Sequence, residues 1–299
     1  YQMGLKTKEA TELATETMKM ARIAGLDAAD ATDRVTAAIK GFNMEMNRMS
    51  GQRVSDVYSE LAAISASDVD ELSTAMSKTA SIANSANMEF ETTSAMLAQI
   101  IETTREAPET AGTALKTVIA RFNELKKAPS EIGEIDGEIV DANAIETALR
   151  SVGIALRGLD GQLRDTDDVF MDLSKIWNTL DTNTQHYIAT LAAGSRQQSR
   201  FIALLSDNER LQELVNAAYN SSGASQKQYE KTLDSLQTKL ARLRDAYDTF
   251  TSSIANSTVI KGAIDALTTF LNAINKIIAA LSGSSSVMKT YVALLISLG

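Results

Sequence analysis

The sequence predicts a mainly α protein: a multi-helix assembly of helical hairpins, with a small β-hairpin element near 130–165 and long C-terminal helices. Three observations carry that prediction. The chain has two prolines in 299 residues, aromatics make up only 5% of it, and apolar side chains return at three- and four-residue intervals through most of its length. A hydrophobic share of 44% is enough to bury a core in a chain this long. Three stretches are expected: an N-terminal helical segment (1–60), a helical core region (61–222) carrying a loop or hairpin insertion at 128–165, and heptad-patterned helices leading into an apolar segment (225–299).

In the first stretch Leu13, Met20 and Ile23, followed by Val35, Ala38, Ile39 and Phe42, mark the apolar faces of one helical hairpin. The theme then returns. "ELATETMKMARIAG" (12–25) aligns with "ELSTAMSKTASIAN" (71–84), and "LDAADATDRVTAAI" (26–39) aligns with "MEFETTSAMLAQII" (88–101). Two diverged helix-turn-helix units are the simplest account. Later helix starts are signalled by Ser67 before "DVDEL", by Pro108 in a first turn, and by "SDNE" (206–209) and "SQKQ" (225–228), both with capping-box spacing.

Residues 128–165 depart from the helical rhythm. Each of two Asp-Gly pairs, Asp136-Gly137 and Asp160-Gly161, lies between apolar residues, the strongest short-range hairpin cue. The neighbouring acidic residues Glu131, Glu134, Asp136, Glu138 and Asp141 lack EF-hand spacing, so they read as a solvated, mobile loop, and no metal or cofactor is expected.

In the C-terminal third Tyr229, Leu233, Leu236, Leu240, Leu243, Tyr247, Phe250 and Ile254 keep a strict four-three spacing, the pattern of a helix-packing seam. Ile260, Ile264, Leu267, Leu271, Ile274, Ile278 and Leu281 repeat it after "NSTVIKG". The seam suits an antiparallel pair within the chain or self-association between copies. A parallel pairing would bring Lys239 against Arg244 of a neighbour, which favours the intramolecular hairpin. The closing "VMKTYVALLISLG" (287–299) is shorter than the roughly 20 apolar residues of a membrane span and is expected as a buried helix, the alternative being a span that continues in a longer parent. The start at Tyr1, without an initiator Met or a basic leader, reads as a segment of a longer protein with no secretion signal in view.

Charge and composition exclude several functions. A net charge of −9 repels phosphate backbones, so no direct nucleic-acid binding is expected. The absence of cysteine removes disulfides, thiolate metal sites and cysteine nucleophiles. His186, the only histidine, lies in "DTNTQHYIATL" and reads as a solvated side chain rather than a base, since no phosphate loop, nucleophile elbow or His-Glu-x-x-His accompanies it. The one tryptophan, Trp177, stands in helical register with Phe170 and Leu173 as a core anchor.

"LAAGSRQQSRFIALL" (191–205) poses a choice between an anion cradle and a corner. Ser195 suits an N-cap, and the N–H groups of a helix start attract anions. Apolar Leu191, Ile202, Leu204 and Leu205 lie on both sides, Gly194 suits a left-handed residue ending one helix, and Arg196 can cap or pair locally. The corner reading prevails.

Taken in order, "AISASDVDELSTAMSKTASIANSANMEFETTSAMLAQIIETTREAPETAGTALKTVIARF" (63–122), "ALRSVGIALRGLDGQLRDTDDVFMDLSKIW" (148–177) and "LAAGSRQQSRFIALL" resemble the core region of phage tail tape measure proteins. Gly112-Thr113-Ala114-Leu115 and Arg121 are similar to the family's G-T-A-L and following arginine. Gly153-Ile154 and Asp160-Gly161 match its G-I and D-G hairpin, and Gly194 and Arg196 its late glycine and basic residue. The acidic insertion at 130–142 departs from the pattern. The resemblance implies a structural virion protein that sets tail length, fills the tube lumen as tube subunits assemble around it, and leaves ahead of the DNA. Implied partners are tail-tube and tail-tip proteins and tail assembly chaperones, with host membrane contact by the parent beyond residue 299. The alternatives are a secreted helical filament or appendage subunit, and a cell-wall hydrolase for which no residue constellation is visible.

Overall fold

A computed structural model describes residues 7–124, 133–135 and 137–235, together with the single positions 239, 243, 268, 269 and 272. Residues 1–229 form one unit and residues 230–299 a second. The first is mainly α, as the sequence predicts.

Its helices are α1 (Thr7–Ala24), α2 (Ala28–Gly41), α3 (Arg48–Ile64), α4 (Val69–Ser85), α5 (Phe90–Thr104) and α6 (Pro108–Glu124). A two-stranded antiparallel hairpin follows, β1 (Gly133–Ile135) and β2 (Glu138–Val140), and then α7 (Ala142–Ser151), α8 (Thr166–Trp177), α9 (Thr182–Leu205) and α10 (Asn208–Tyr219). Residues 224–229 are again helical. The pairs α1–α2 and α4–α5 are the two helix-turn-helix units that the aligned segments anticipate.

Helix α5 is the centre of the unit, packing against α3, α4, α6, α9 and α10. Every residue from Phe90 to Ile101 is buried, as expected of a helix enclosed on all sides. Four of those residues, Thr92, Thr93, Ser94 and Gln99, are polar and uncharged. Burial without a partner is costly, and two hydroxyls avoid it by turning onto their own helix: Thr93 Oγ1 donates to the Glu89 carbonyl at 2.8 Å and Ser94 Oγ to the Phe90 carbonyl at 2.8 Å. Edge-to-face ring contacts form two groups in the core, Phe42–Phe90 and Tyr58–Phe90 in one, Phe122–Phe170, Phe170–Phe201 and Trp177–Phe201 in the other. Trp177 is the core anchor that its register implies.

Several helix starts differ from the sequence expectation. Helix α4 is capped by Asp68 rather than Ser67, because Glu71 lies three residues on and closes a reciprocal capping box, whereas the residue three after Ser67 is Asp70, one methylene shorter. Helix α10 is capped by Asp207 rather than Ser206. Ser206 still has helical backbone angles from α9 (φ −68, ψ −23) and cannot adopt the extended geometry of a cap. Ser225 lies inside the helical residues, and its N–H and hydroxyl turn to Asp56 on α3. Pro108 opens α6 as expected.

The two Asp-Gly sites also diverge. Around Gly137 (φ +75) the strands pair in the register Ile135 with Glu138 and Gly133 with Val140, a true hairpin. Around Gly161 there is only one bridge, Arg157 with Leu163. Gly161 alone has positive φ (+77), and a turn closed by Gly161 N–H to the Gly158 carbonyl precedes it, so the loop is a five-residue connection rather than a two-residue one.

In the second unit residues 230–235, 239, 243, 268, 269 and 272 are helical. Of the seam residues, Tyr229 and Leu233 are half-buried and Leu243 is exposed; Leu236, Leu240, Tyr247, Phe250, Ile254 and the whole second apolar series lie outside the described residues. So does 287–299. Among the described residues no helix is long and apolar enough to cross a membrane.

Candidate functional site at the break in α9

Helix α9 runs from Thr182 to Leu205, and its one non-helical residue is Gly194, at φ 76 and ψ 169. This is not the left-handed helical geometry expected of a helix-ending residue but an extended conformation of positive φ that is essentially restricted to glycine. The corner reading therefore holds, with a different backbone geometry.

An anion does sit at this helix start, and it is the protein's own. The carboxylate of Glu138, on β2, accepts from the Ser195 N–H at 3.1 and 3.2 Å and from the Ser195 hydroxyl. Glu138 thus belongs to the core of the site and not to a solvated loop, which corrects the sequence reading of the acidic cluster. Of its neighbours, Asp141 caps α7, while Glu131 and Asp136 lie outside the described residues. The Ser195 hydroxyl first, and then its N–H and the Arg121 guanidinium, hold the Glu138 carboxyl below the usual carboxylate range.

Arg121 comes from the last turn of α6 and is only 3% exposed. Its Nη2 donates to Glu138 at 2.5 Å and its Nη1 to the Leu191 carbonyl at 3.4 Å. The cation thereby closes the C-terminal end of the first half of α9 while the anion closes the N-terminal end of the second, each opposing the helix dipole it faces. Gly194 admits the pair, since a Cβ there would lie 2.8 Å from Arg121 Cζ and closer still to Glu138.

The other residues picked out from the sequence are spread over the unit. Gly112 lies against the α4 backbone, where an added Cβ would meet Ala75 C at 3.0 Å. Thr79 of α4 seals that crossing by donating to the Gly112 carbonyl at 2.9 Å. Leu115 is buried in the core and Thr113 is exposed. Gly153 follows α7 at φ +87, its N–H donating to the Arg150 carbonyl at 3.0 Å, and Ile154 N–H returns to Leu149 at 2.9 Å, a glycine-terminated helix end. Asp160 accepts from Gln162 N–H at 3.0 Å and shapes the exposed loop before α8. The Arg196 side chain is exposed, and its carbonyl accepts from Arg200. The structure therefore brings Arg121 and Gly194 together and leaves the other named residues as separate packing and turn positions.

Chemistry of other kinds is sparse. His186 is exposed. Among the described residues no group of three or more His, Cys, Asp or Glu side chains is placed to hold a metal ion. An open depression of about 380 Å³ bounded by Phe42, Met88, Phe90, Arg53 and Glu89 is lined by no histidine and no hydroxyl or thiol side chain.

The sequence matches the phage-related minor tail protein family over residues 1–194. The chain belongs to this family. It is also 23% identical, over 247 residues, to the tape measure protein of Pneumococcus phage Dp-1. That alignment covers 82% of the chain but 20% of the relative, so the chain spans about a fifth of the length of the curated relative it matches. No solved structure matches. The resemblance to phage tail tape measure proteins drawn from ordered motifs is borne out, and family membership supports a structural role in the phage tail.

Proposed function

We propose that the chain is a segment of a tail tape measure protein that acts as ruler and scaffold while the tail tube assembles and is released ahead of the DNA at infection. The observation that carries this reading is the similarity to a phage tape measure protein across 82% of the chain. The helical build is consistent with it, because a helix converts residue count into distance at roughly 1.5 Å per residue. On this reading the segment occupies the tail lumen in the virion and the host cytoplasm during assembly. Its partners are tail-tube and tail-tip proteins and tail assembly chaperones. Residues 1–60 and 61–222 supply a folded body, and 225–299 supply the helix-packing seam, paired within the chain or between copies. The role is architectural rather than catalytic.

The test is genetic. In the phage that encodes this chain, in-frame deletion of residues 230–299 shortens the tail by about 100 Å if the segment is read out as helix, and in-frame duplication lengthens it by the same amount. Tail lengths measured by electron microscopy that stay unchanged in both phages overturn the ruler.

A further inference from the structure

Residues Thr182–Leu205 contain no proline and are helical on both sides of a single departure at Gly194. In an unbroken helix the N–H of Ser195 would donate to the carbonyl four residues earlier, that of Leu191. Here the Ser195 N–H donates to Glu138 and the Leu191 carbonyl accepts from Arg121. The donor and the acceptor of one missing helical hydrogen bond are thus satisfied separately by the two members of one ion pair.

We propose that α9 is a two-state hinge, in which the Arg121–Glu138 pair is a wedge holding one helical hydrogen bond apart, and that α9 anneals into a single straight helix when the wedge withdraws. Neither wedge residue belongs to α9: Arg121 comes from α6 and Glu138 from β2, so displacement of the hairpin removes the anion. The wedge is also incompletely satisfied where it stands, since Arg121 Nε is buried without a hydrogen-bond partner. The straight form cannot be a local flicker. Ile188, Ala189 and Ala192 seat the first half of α9 in the core and Phe201, Leu204 and Leu205 seat the second, so straightening lifts one half out and opens the unit. The hinge thereby provides a route from a folded body to an elongated one, and it stands or falls independently of any change in tail length.

The chain contains no cysteine, so spin labels at Asn183→Cys and Ser199→Cys, both exposed positions on α9, report the separation of its halves in the 299-residue chain without background. In a straight helix these positions are about 24 Å apart along the axis, and the break brings them closer. Glu138→Ala is expected to shift the distance distribution from the short value to that of the straight helix. Adding Ser195→Pro is expected to restore the short distance, because proline fits a first helical turn but has no N–H for Leu191 and cannot sit inside a continuous helix. A short distance that persists in Glu138→Ala overturns the hinge. So does a broad distribution that Ser195→Pro leaves unchanged, since that reports loss of fold rather than straightening.

Discussion

At Gly112 the missing side chain is what lets α6 lie on the backbone of α4, and Thr79 uses the close approach to donate to the Gly112 carbonyl at 2.9 Å. A methyl group there would fall 3.0 Å from Ala75 C and Cα, against backbone that cannot rotate away. Gly112→Ala is therefore expected to lower unfolding stability by about 1–3 kcal/mol, while Thr113→Ala next to it, at an exposed position, changes it by about 0.5 kcal/mol or less. Urea denaturation of the two variants checks this, and equal stabilities would refute the close-packing account. The sequence singled out Gly112, Arg121, Gly194 and Ser195, and even posed the question of an anion at Ser195. It could not show that the anion is Glu138, which lies 57 residues away in the chain. A carboxylate in an acidic stretch has no local pattern that separates a solvated side chain from one reaching a distant helix.

Among elements, the same device recurs at other helix starts: a carboxylate from one element accepts the free N–H groups at the beginning of another. Asp56 of α3, buried, accepts from Gly223 N–H and Ser225 N–H at 2.9 Å each, and from the Ser225 hydroxyl. Asp167 of α8 accepts from Glu89 N–H at 3.1 Å, at the start of α5. Local capping rules found the helices but misplaced caps by a residue, because they weigh Ser and Asp equally and see neither the preceding helix nor a partner from elsewhere. Asp56→Ala leaves the donors at 223 and 225 unpaired, at a cost of about 1–3 kcal/mol. The expected outcome is faster amide exchange at Gly223 and Ser225, with Asp56→Asn, which keeps one accepting oxygen, intermediate. Exchange at those amides that does not respond to either change would show that Asp56 is not their cap.

Over the first unit as a whole, elements distant in the chain are tied by guanidinium–carboxylate forks. Arg210 binds Glu102 through Nε at 2.9 Å and Nη2 at 2.8 Å, Arg200 binds Glu106 at 2.6 and 2.8 Å, and Arg53 binds Glu91 at 2.5 and 2.6 Å. The partners in the first two are 108 and 94 residues apart, which is why the helical character of the chain was legible and its assembly was not. The hydrogen bonds from Arg210 hold Glu102 below the usual carboxylate range, and Lys175 and Arg164 do the same to Asp172, as Ser195 and Arg121 do to Glu138. For such groups the folded pKa lies below the unfolded one, so their contribution is present above the unfolded value and is lost as pH falls through the folded one. Burial acts oppositely on Asp167, whose carboxyl is raised and which costs stability once pH exceeds its unfolded value. Four depressed carboxyls, the fourth being Asp181 with its Thr184 hydroxyl partner, against one raised give a urea midpoint that falls between about pH 4.5 and pH 2. A midpoint constant across that range would contradict a stabilising role for the contacts of these depressed carboxyls.

Trp177 adds a practical consequence. It is the only tryptophan, it faces the Phe201 ring at 6.3 Å in the second half of α9, and its carbonyl accepts from Gln185 in the first half at 2.7 Å. Trp177 is therefore an intrinsic fluorophore whose ring meets the second arm of the broken helix and whose backbone meets the first. Emission from an unlabelled chain would shift to longer wavelength when either arm leaves its seat and water reaches the ring, so the protein carries its own optical readout of that change.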